Sequence, residues 1–337
     1  MTPRSHTYQR PESEEVHVLR AALIGVALSL VLALAGPAAA QSPPEAEASA
    51  PQVVLAAQPS ARSGQRLQWL MSFGTAFDSN IDHNRANSEA YGGVLGAGVR
   101  FRSNVDDPAF EVTYEAALHS YTQGTRWDRV SQQARALWEV EFAGPWTFGL
   151  VGEMSLKGSS EDRELSDQFV AEPRLEYTFS DAHRIRVYGA YRLRRYTDDP
   201  LRDADNPMVG VEFRRRTDRG DRLEVGLRFD RNQSLGTRHR YDRWTLSTGY
   251  GTPVSRLDRL DFELRFRAKR YRFRVVEIED EDFARLDHQW IPSITWSRTL
   301  FGDLESQVEY RWESRISNDP NRDFQAHLIA VRVVQRW

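Results

Sequence analysis

From Arg66 to the C-terminus the chain alternates apolar and polar residues with a period of two, and no other feature constrains its fold as tightly. Leu67, Trp69, Met71 and Phe73 alternate with Arg66, Gln68 and Ser72; Ile185, Val187, Gly189, Tyr191 and Leu193 alternate with Arg184, Arg186, Arg192 and Arg194. The same rhythm carries Leu260, Phe262, Leu264 and Phe266 against Asp261, Glu263, Arg265 and Arg267. Period two puts each set on one side of a β-strand. Fourteen such segments are expected, starting near residues 66, 91, 109, 131, 146, 167, 184, 207, 222, 242, 259, 287, 303 and 324. Each is about the ~9–11 residues that a tilted strand needs to cross a bilayer.

The connections alternate as well. Short ones carry turn residues: 103–107, Gly144-Pro145, 180–183, Asp218-Arg219-Gly220-Asp221 and Phe301-Gly302-Asp303. Longer ones, rich in Asp, Asn and Ser, are expected over 78–89, 157–167, 197–206 and 230–239. A soluble β-sandwich would bury the apolar faces against each other. A transmembrane barrel would turn them to lipid and the polar faces to a lumen. The even strand count, the short-long alternation and the dense charge of both signs on the polar faces favour the barrel. Trp69, Trp138, Trp146, Trp290, Trp296 and Trp312 suit aromatic girdles near strand ends. The fold expected over 65–337 is therefore an all-β, up-and-down antiparallel barrel of about fourteen strands, with both ends periplasmic.

An export signal agrees with this. Ala21–Ala35 is the one long apolar run; it follows Arg20 and leads to Gly36-Pro37-Ala38-Ala39-Ala40, an Ala-x-Ala type site. Residues 1–40 read as a signal peptide cleaved before Gln41, since the 15-residue run is short for a bilayer span of ~20. Glu12, Glu14 and Glu15 are foreign to such a leader, and a start at Val16 or Val18 would remove them. Residues 41–64, rich in Ala, Pro, Ser and Gln, read as a flexible periplasmic segment.

The 337 residues carry a net charge of −3, so there is no excess of Lys and Arg for nucleic-acid binding. The absence of cysteine excludes disulfides, thiolate metal sites, a cysteine nucleophile and a lipidated N-terminal cysteine.

The final strand carries Ile329, Val331, Val333 and Trp337 on one face. This resembles the terminal signal by which the barrel-assembly machinery reads bacterial outer-membrane proteins, with Trp in place of the usual Phe and polar Gln335 at a commonly apolar position. The closing hairpin, Tyr310 to Pro320 followed by Phe324, and the opening Phe77-Asp78-Ser79-Asn80-Ile81 resemble those of porin-like barrels and of surface lipoprotein assembly modifiers and related export barrels. The resemblance implies residence in the outer membrane of a Gram-negative cell. The helical-repeat domain usual in the modifiers is missing. A porin-like channel is the first functional expectation; an export or assembly barrel with a periplasmic partner is the alternative, with residues 41–64 as tether. A lipid-hydrolysing barrel is a distant third.

Catalytic constellations are weak. Arg231-Asn232-Gln233-Ser234-Leu235-Gly236 resembles the active-site segment of outer-membrane phospholipase A, but Asn232 stands where that family has its histidine base. Ser234 is expected at a loop tip. Asp78, Asn80, Asp82 and Glu89 approach the spacing of a calcium loop, yet His83 occupies the turn position that such loops give to Gly. The histidines at 119, 183, 239, 288 and 327 lack ligand spacing. No catalytic residue, metal or cofactor is expected.

The charged faces carry the functional signal. Arg184, Arg186, Arg192, Arg194, Arg214, Arg222 and Arg228 fall on the seventh to ninth strands, and Arg265, Arg267 and Lys269 on the eleventh. Glu111, Glu115, Glu139, Glu141 and Glu153 fall on the third to fifth. In a ring of fourteen these basic and acidic arcs face each other across a lumen. They form either the walls of a pore for polar or charged solutes or a salt-bridge network filling a scaffold. Beyond Ala268, the basic run 269–274 has charges on both faces and is expected to rise above the membrane. There it would meet lipopolysaccharide phosphates or be neutralised by the acidic run 277–282.

Overall fold

The computed structural model describes residues 67–80, 89–103, 109–122, 129–159, 165–196, 199–278 and 281–337. The expected signal peptide, the 41–64 segment and two of the calcium-loop positions (82 and 83) lie outside them. Among the described residues fourteen strands form one closed antiparallel barrel. They are β1 Leu67–Asp78, β2 Ala90–Arg102, β3 Ala109–Tyr121, β4 Arg129–Ala143, β5 Trp146–Ser159, β6 Leu165–Ser180 and β7 His183–Tyr196. The second half holds β8 Ala204–Arg216, β9 Arg222–Ser234, β10 Tyr241–Pro253, β11 Asp258–Ile278, β12 Glu281–Phe301, β13 Leu304–Ser317 and β14 Phe324–Arg336. Each pairs with its neighbours in sequence, and β1 closes on β14 from Leu70↔Arg336 to Asp78↔Leu328. Trp69 and Trp337 extend this seam by exchanging backbone hydrogen bonds of 3.1 Å in both directions. Closure leaves no sheet edge, so ladder N–H and C=O groups are paired without help from solvent.

The side-chain distribution is the reverse of a soluble domain. Trp69, Phe73, Leu95, Leu118, Val187, Val209 and Trp244 point outward and are exposed, whereas Arg186, Arg194, Asp230, Arg243 and Arg267 point inward and are buried. On β8 the outward positions Pro207, Val209, Val211 and Phe213 lie between the charged Asp205 and Arg215. At ~3.3 Å per residue and a tilt of ~40°, that interval spans about 25 Å, the height of a lipid-facing apolar band. Trp69, Trp146, Trp296 and Trp337 lie outward toward the short-turn end, and Trp244, Trp290 and Trp312 toward the long-loop end.

Three short turns depend on glycine: Gly144, Gly220 and Gly302 have φ of 57°, 86° and 56°, a region that costs other residues steric strain.

Two expected loops are shorter than the sequence suggested. β8 starts at Ala204, and β9 continues to Ser234, which places Asp230 within the barrel wall. β12 starts at Glu281 rather than near 287, because β11 and β12 are each 21 residues long and form a projecting hairpin. Past Tyr271, β11 has lost its β10 partner, and its tip pairs only with β12 through Val275↔Ala284 and Glu277↔Asp282. A ribbon standing in water tolerates charge on both faces, so the acidic run does not end it.

Candidate functional site: the charged inner wall

Strand register fixes which side chains share the inner wall. Starting from buried Leu70, Ser72 and Asp78 on β1, pairing carries the inward phase around the ring. It places Glu111 and Glu115 of β3, Glu139 and Glu141 of β4, and Glu153 of β5 inward. It does the same for Arg184, Arg186, Arg192 and Arg194 of β7, Arg214 of β8, Arg222 and Arg228 of β9, and Arg265, Arg267 and Lys269 of β11. Ile329, Val331, Val333 and Trp337 have the opposite phase and face outward.

Toward the short turns the wall is a lattice of cross-strand ion pairs. Arg100 meets Glu111 at 2.6 Å, Arg135 meets Glu153 at 3.2 Å, and Arg174 meets Glu139 at 2.7 Å. A chain then runs from Glu176 to Arg186 (2.8 Å), on to Glu212 (3.5 Å), Arg214 (3.3 Å) and Glu224 (3.4 Å). The acidic arc is thus interleaved with arginines from its own side of the ring rather than standing as a bare negative wall. Glu141, at the short-turn end opposite Thr147, is exposed.

Toward the long loops the balance changes. Arg192, Arg194, Arg228, Arg243, Arg265, Arg267 and Lys269 cluster on the inner face of β7, β9, β10 and β11. Asp230 of β9 sits among them, fully buried, with its carboxylate 2.9 Å from Arg243, 3.7 Å from Arg228 and 4.0 Å from Arg192. Arg267 donates to Gln289 at 3.2 Å, and the Lys269 ammonium lies 4.5 Å from the Tyr241 ring centre. Arg285 is matched by Asp287 at 2.6 Å. Cations outnumber carboxylates in this half of the wall, which sets a positive potential inside a low-dielectric ring.

Sequence reasoning did not single out Arg174, Glu176, Asp230 or Arg243. For Arg174, Glu176 and Arg243 the available signal was their phase within an alternating strand. Asp230 lay in a run of turn-type residues and gave none.

Ser234 is at the end of β9, on the inner face and buried, not at a loop tip. Its hydroxyl donates to the His239 carbonyl at 3.1 Å and accepts from the Asn232 amide. The His239 ring nitrogen Nε2 accepts from Arg238 at 3.3 Å. Asp78 Oδ1 accepts from the Asn80 backbone at 2.9 Å, an Asx turn, and the Asn80 amide caps the Gln325 carbonyl at 3.1 Å. Among the described residues no three His, Asp or Glu side chains gather as a metal site requires.

No protein-family model matches the chain, and no curated protein matches it. Similar solved structures are outer-membrane β-barrels. The outer membrane channel DcaP of Acinetobacter baumannii is 9% identical, with 80% of this chain covering 96% of that one at a TM-score of 0.50. In-vitro folded OmpT, an outer membrane protein of Vibrio cholerae, is 10% identical, with 83% of this chain covering all of that one at 0.49. An anion-selective porin from Comamonas acidovorans is 8% identical, with 80% of this chain covering 98% of that one at 0.46. At these identities the likeness to DcaP is one of fold: a closed antiparallel β-barrel.

Proposed function

We propose that this chain is an outer-membrane channel for small polar or charged solutes, with a weak preference for anions. The observation that carries the reading is the inner wall: charged from end to end, paired toward the short turns, and in cationic excess on β7 to β11 toward the long loops. An apolar exterior and a charged interior are what a membrane-embedded aqueous path requires. The pairing lattice holds the wall rigid, and the cationic half attracts and orients the solute. We infer further that outward Ile329, Val331, Val333 and Trp337 serve the barrel-assembly machinery before the seam closes. We read no reaction in the wall: the Ser234 hydrogen goes to a backbone carbonyl, and Asn232 cannot accept it as a base would.

The test is conductance in a planar bilayer. A stable unitary current with slight anion selectivity is expected from the purified protein. Changing Arg265, Arg267 and Lys269 together to Glu should move selectivity toward cations, and the same triple to Gln should fall between. Absence of current from folded protein would reject the channel and leave a salt-bridged scaffold. Current indifferent to both triples would reject the assigned role of the cationic half.

A further inference from the structure

The outward face of β9 to β11 carries a second basic cluster, separate from the lumen. Asp242 on β10 pairs in register with Arg231 on β9 and Arg270 on β11, so all three point away from the lumen at the long-loop end. Arg231 donates to Asp242 at 3.1 Å. Arg272, just past the point where β11 leaves β10, grips the same carboxylate through Nη2 at 2.7 Å and Nε at 3.0 Å. Arg270 is exposed beside them. Two guanidiniums therefore hold one carboxylate, with the side chains of Arg231 and Arg272 still 44% and 34% exposed, and Arg270 adds a third positive charge on the next strand.

The position is as informative as the charge. One outward step toward the membrane from Arg231 and Asp242 lie Phe229 and Trp244, register partners with ring centres 4.9 Å apart, and Trp244 is half exposed. An aromatic pair of this kind marks the level where hydrocarbon gives way to headgroups. The corresponding outward positions on β1 to β5 (Phe77, Tyr91, Ser120, Val130 and Leu156) carry no charge. The outward excess of positive charge is thus absent from β1 to β5, and on β7 the outward Arg195 is offset by Asp203 and Asp205.

We infer that the cluster on β9 to β11 is a binding site for a phosphorylated lipid headgroup of the surrounding leaflet. Guanidinium forks match phosphate oxygens in planar, two-point hydrogen bonds, and the excess positive charge around Asp242 supplies the attraction. Phe229 and Trp244 offer an acyl chain an apolar bed directly below the phosphate, which a soluble anion would not use. The inference rests on the membrane placement proposed above but not on conduction.

The experiment uses the full barrel in detergent micelles, with retained lipid counted by native mass spectrometry. The probes are diphosphoryl lipid A, the same lipid stripped of phosphate, and phosphatidylcholine. Diphosphoryl lipid A should be retained and the other two lost. Changing Arg231, Arg270 and Arg272 together to Gln should weaken retention about a hundredfold, and Asp242→Asn should strengthen it. Arg298→Gln, outward at the short-turn end, should leave retention unchanged. If the triple variant fails to fold, by loss of its heat-modifiable gel shift, Arg270→Gln alone should still weaken retention about tenfold. Equal retention by wild type and folded variants, or of the phosphate-free lipid, would overturn the site. Displacement of the lipid by inorganic phosphate would overturn the lipid as occupant. Failure of the protein to insert into vesicles would instead refute the membrane placement.

Discussion

Arg174 on β6 reaches past the whole of β5 to meet Glu139 on β4, Nη2 to Oε1 at 2.7 Å, and the residue it crosses is Gly149. Register sets Glu139, Gly149 and Arg174 in one inward row. A Cβ on residue 149 would stand 2.8 Å from the Arg174 Nε and 2.9 Å from its Cγ. The missing side chain is what lets the arginine lie flat along the wall.

Gly149→Val should therefore lift Arg174 off Glu139 and destabilise the barrel by about 1–3 kcal/mol, the usual cost of overpacking. Gly152→Val, on the outward face with nothing within 4 Å of the added Cβ, should be neutral or slightly stabilising. Urea unfolding in lipid vesicles measures both. Equal effects at the two positions would show that the crossing arginine contributes nothing.

The barrel was legible in the sequence because the strand period acts on every residue of every strand. An apolar set at period two, repeated between turns, leaves few other ways to satisfy the backbone. Which face a residue takes is a question of parity, so Leu264 and Arg265 separate on inspection. Partnership is different. The Arg174–Glu139 pair spans three strands and depends on an absent Cβ on the middle one, which no local pattern announces. Asp230 was hidden for another reason: Asp230, Asn232 and Ser234 are turn-type residues, and only the ladders to β8 and β10 hold them in a strand. The projecting tip of β11 and β12 was hidden because charge on both faces reads as loop, although a hairpin in water accepts it.

Face assignment is itself open to test on β11. Leu264 is outward and exposed near mid-strand, flanked by Thr248 and Pro292. Leu264→Arg should cost about 2–4 kcal/mol if it lies near the bilayer midplane, whereas Arg265→Gln, one residue on and facing the lumen, should fold as wild type. Assembly yield, read as the heat-modifiable fraction, distinguishes them. Equal tolerance at both positions would mean that the inner and outer faces are exchanged.

Asp230 is the group on which the cationic half of the lumen turns. Its side chain is fully buried, it accepts from Arg243 Nε at 2.9 Å, and Arg192 and Arg228 approach within 4.0 Å and 3.7 Å. Asn has nearly the same shape and removes only the charge. The three guanidiniums would then repel one another without their shared carboxylate, and removing one partner of a buried pair costs about 3–5 kcal/mol. Asp230→Asn should thus lower stability by that order and, where the folded fraction is recovered, raise anion selectivity in a planar bilayer, because one negative charge has left a positive wall. Asp230→Glu retains the charge and should preserve the selectivity of the wild type while losing stability to its extra methylene. The two readouts separate packing from electrostatics. If Asn and Glu variants show the same selectivity, the potential at this cluster does not govern which ions pass.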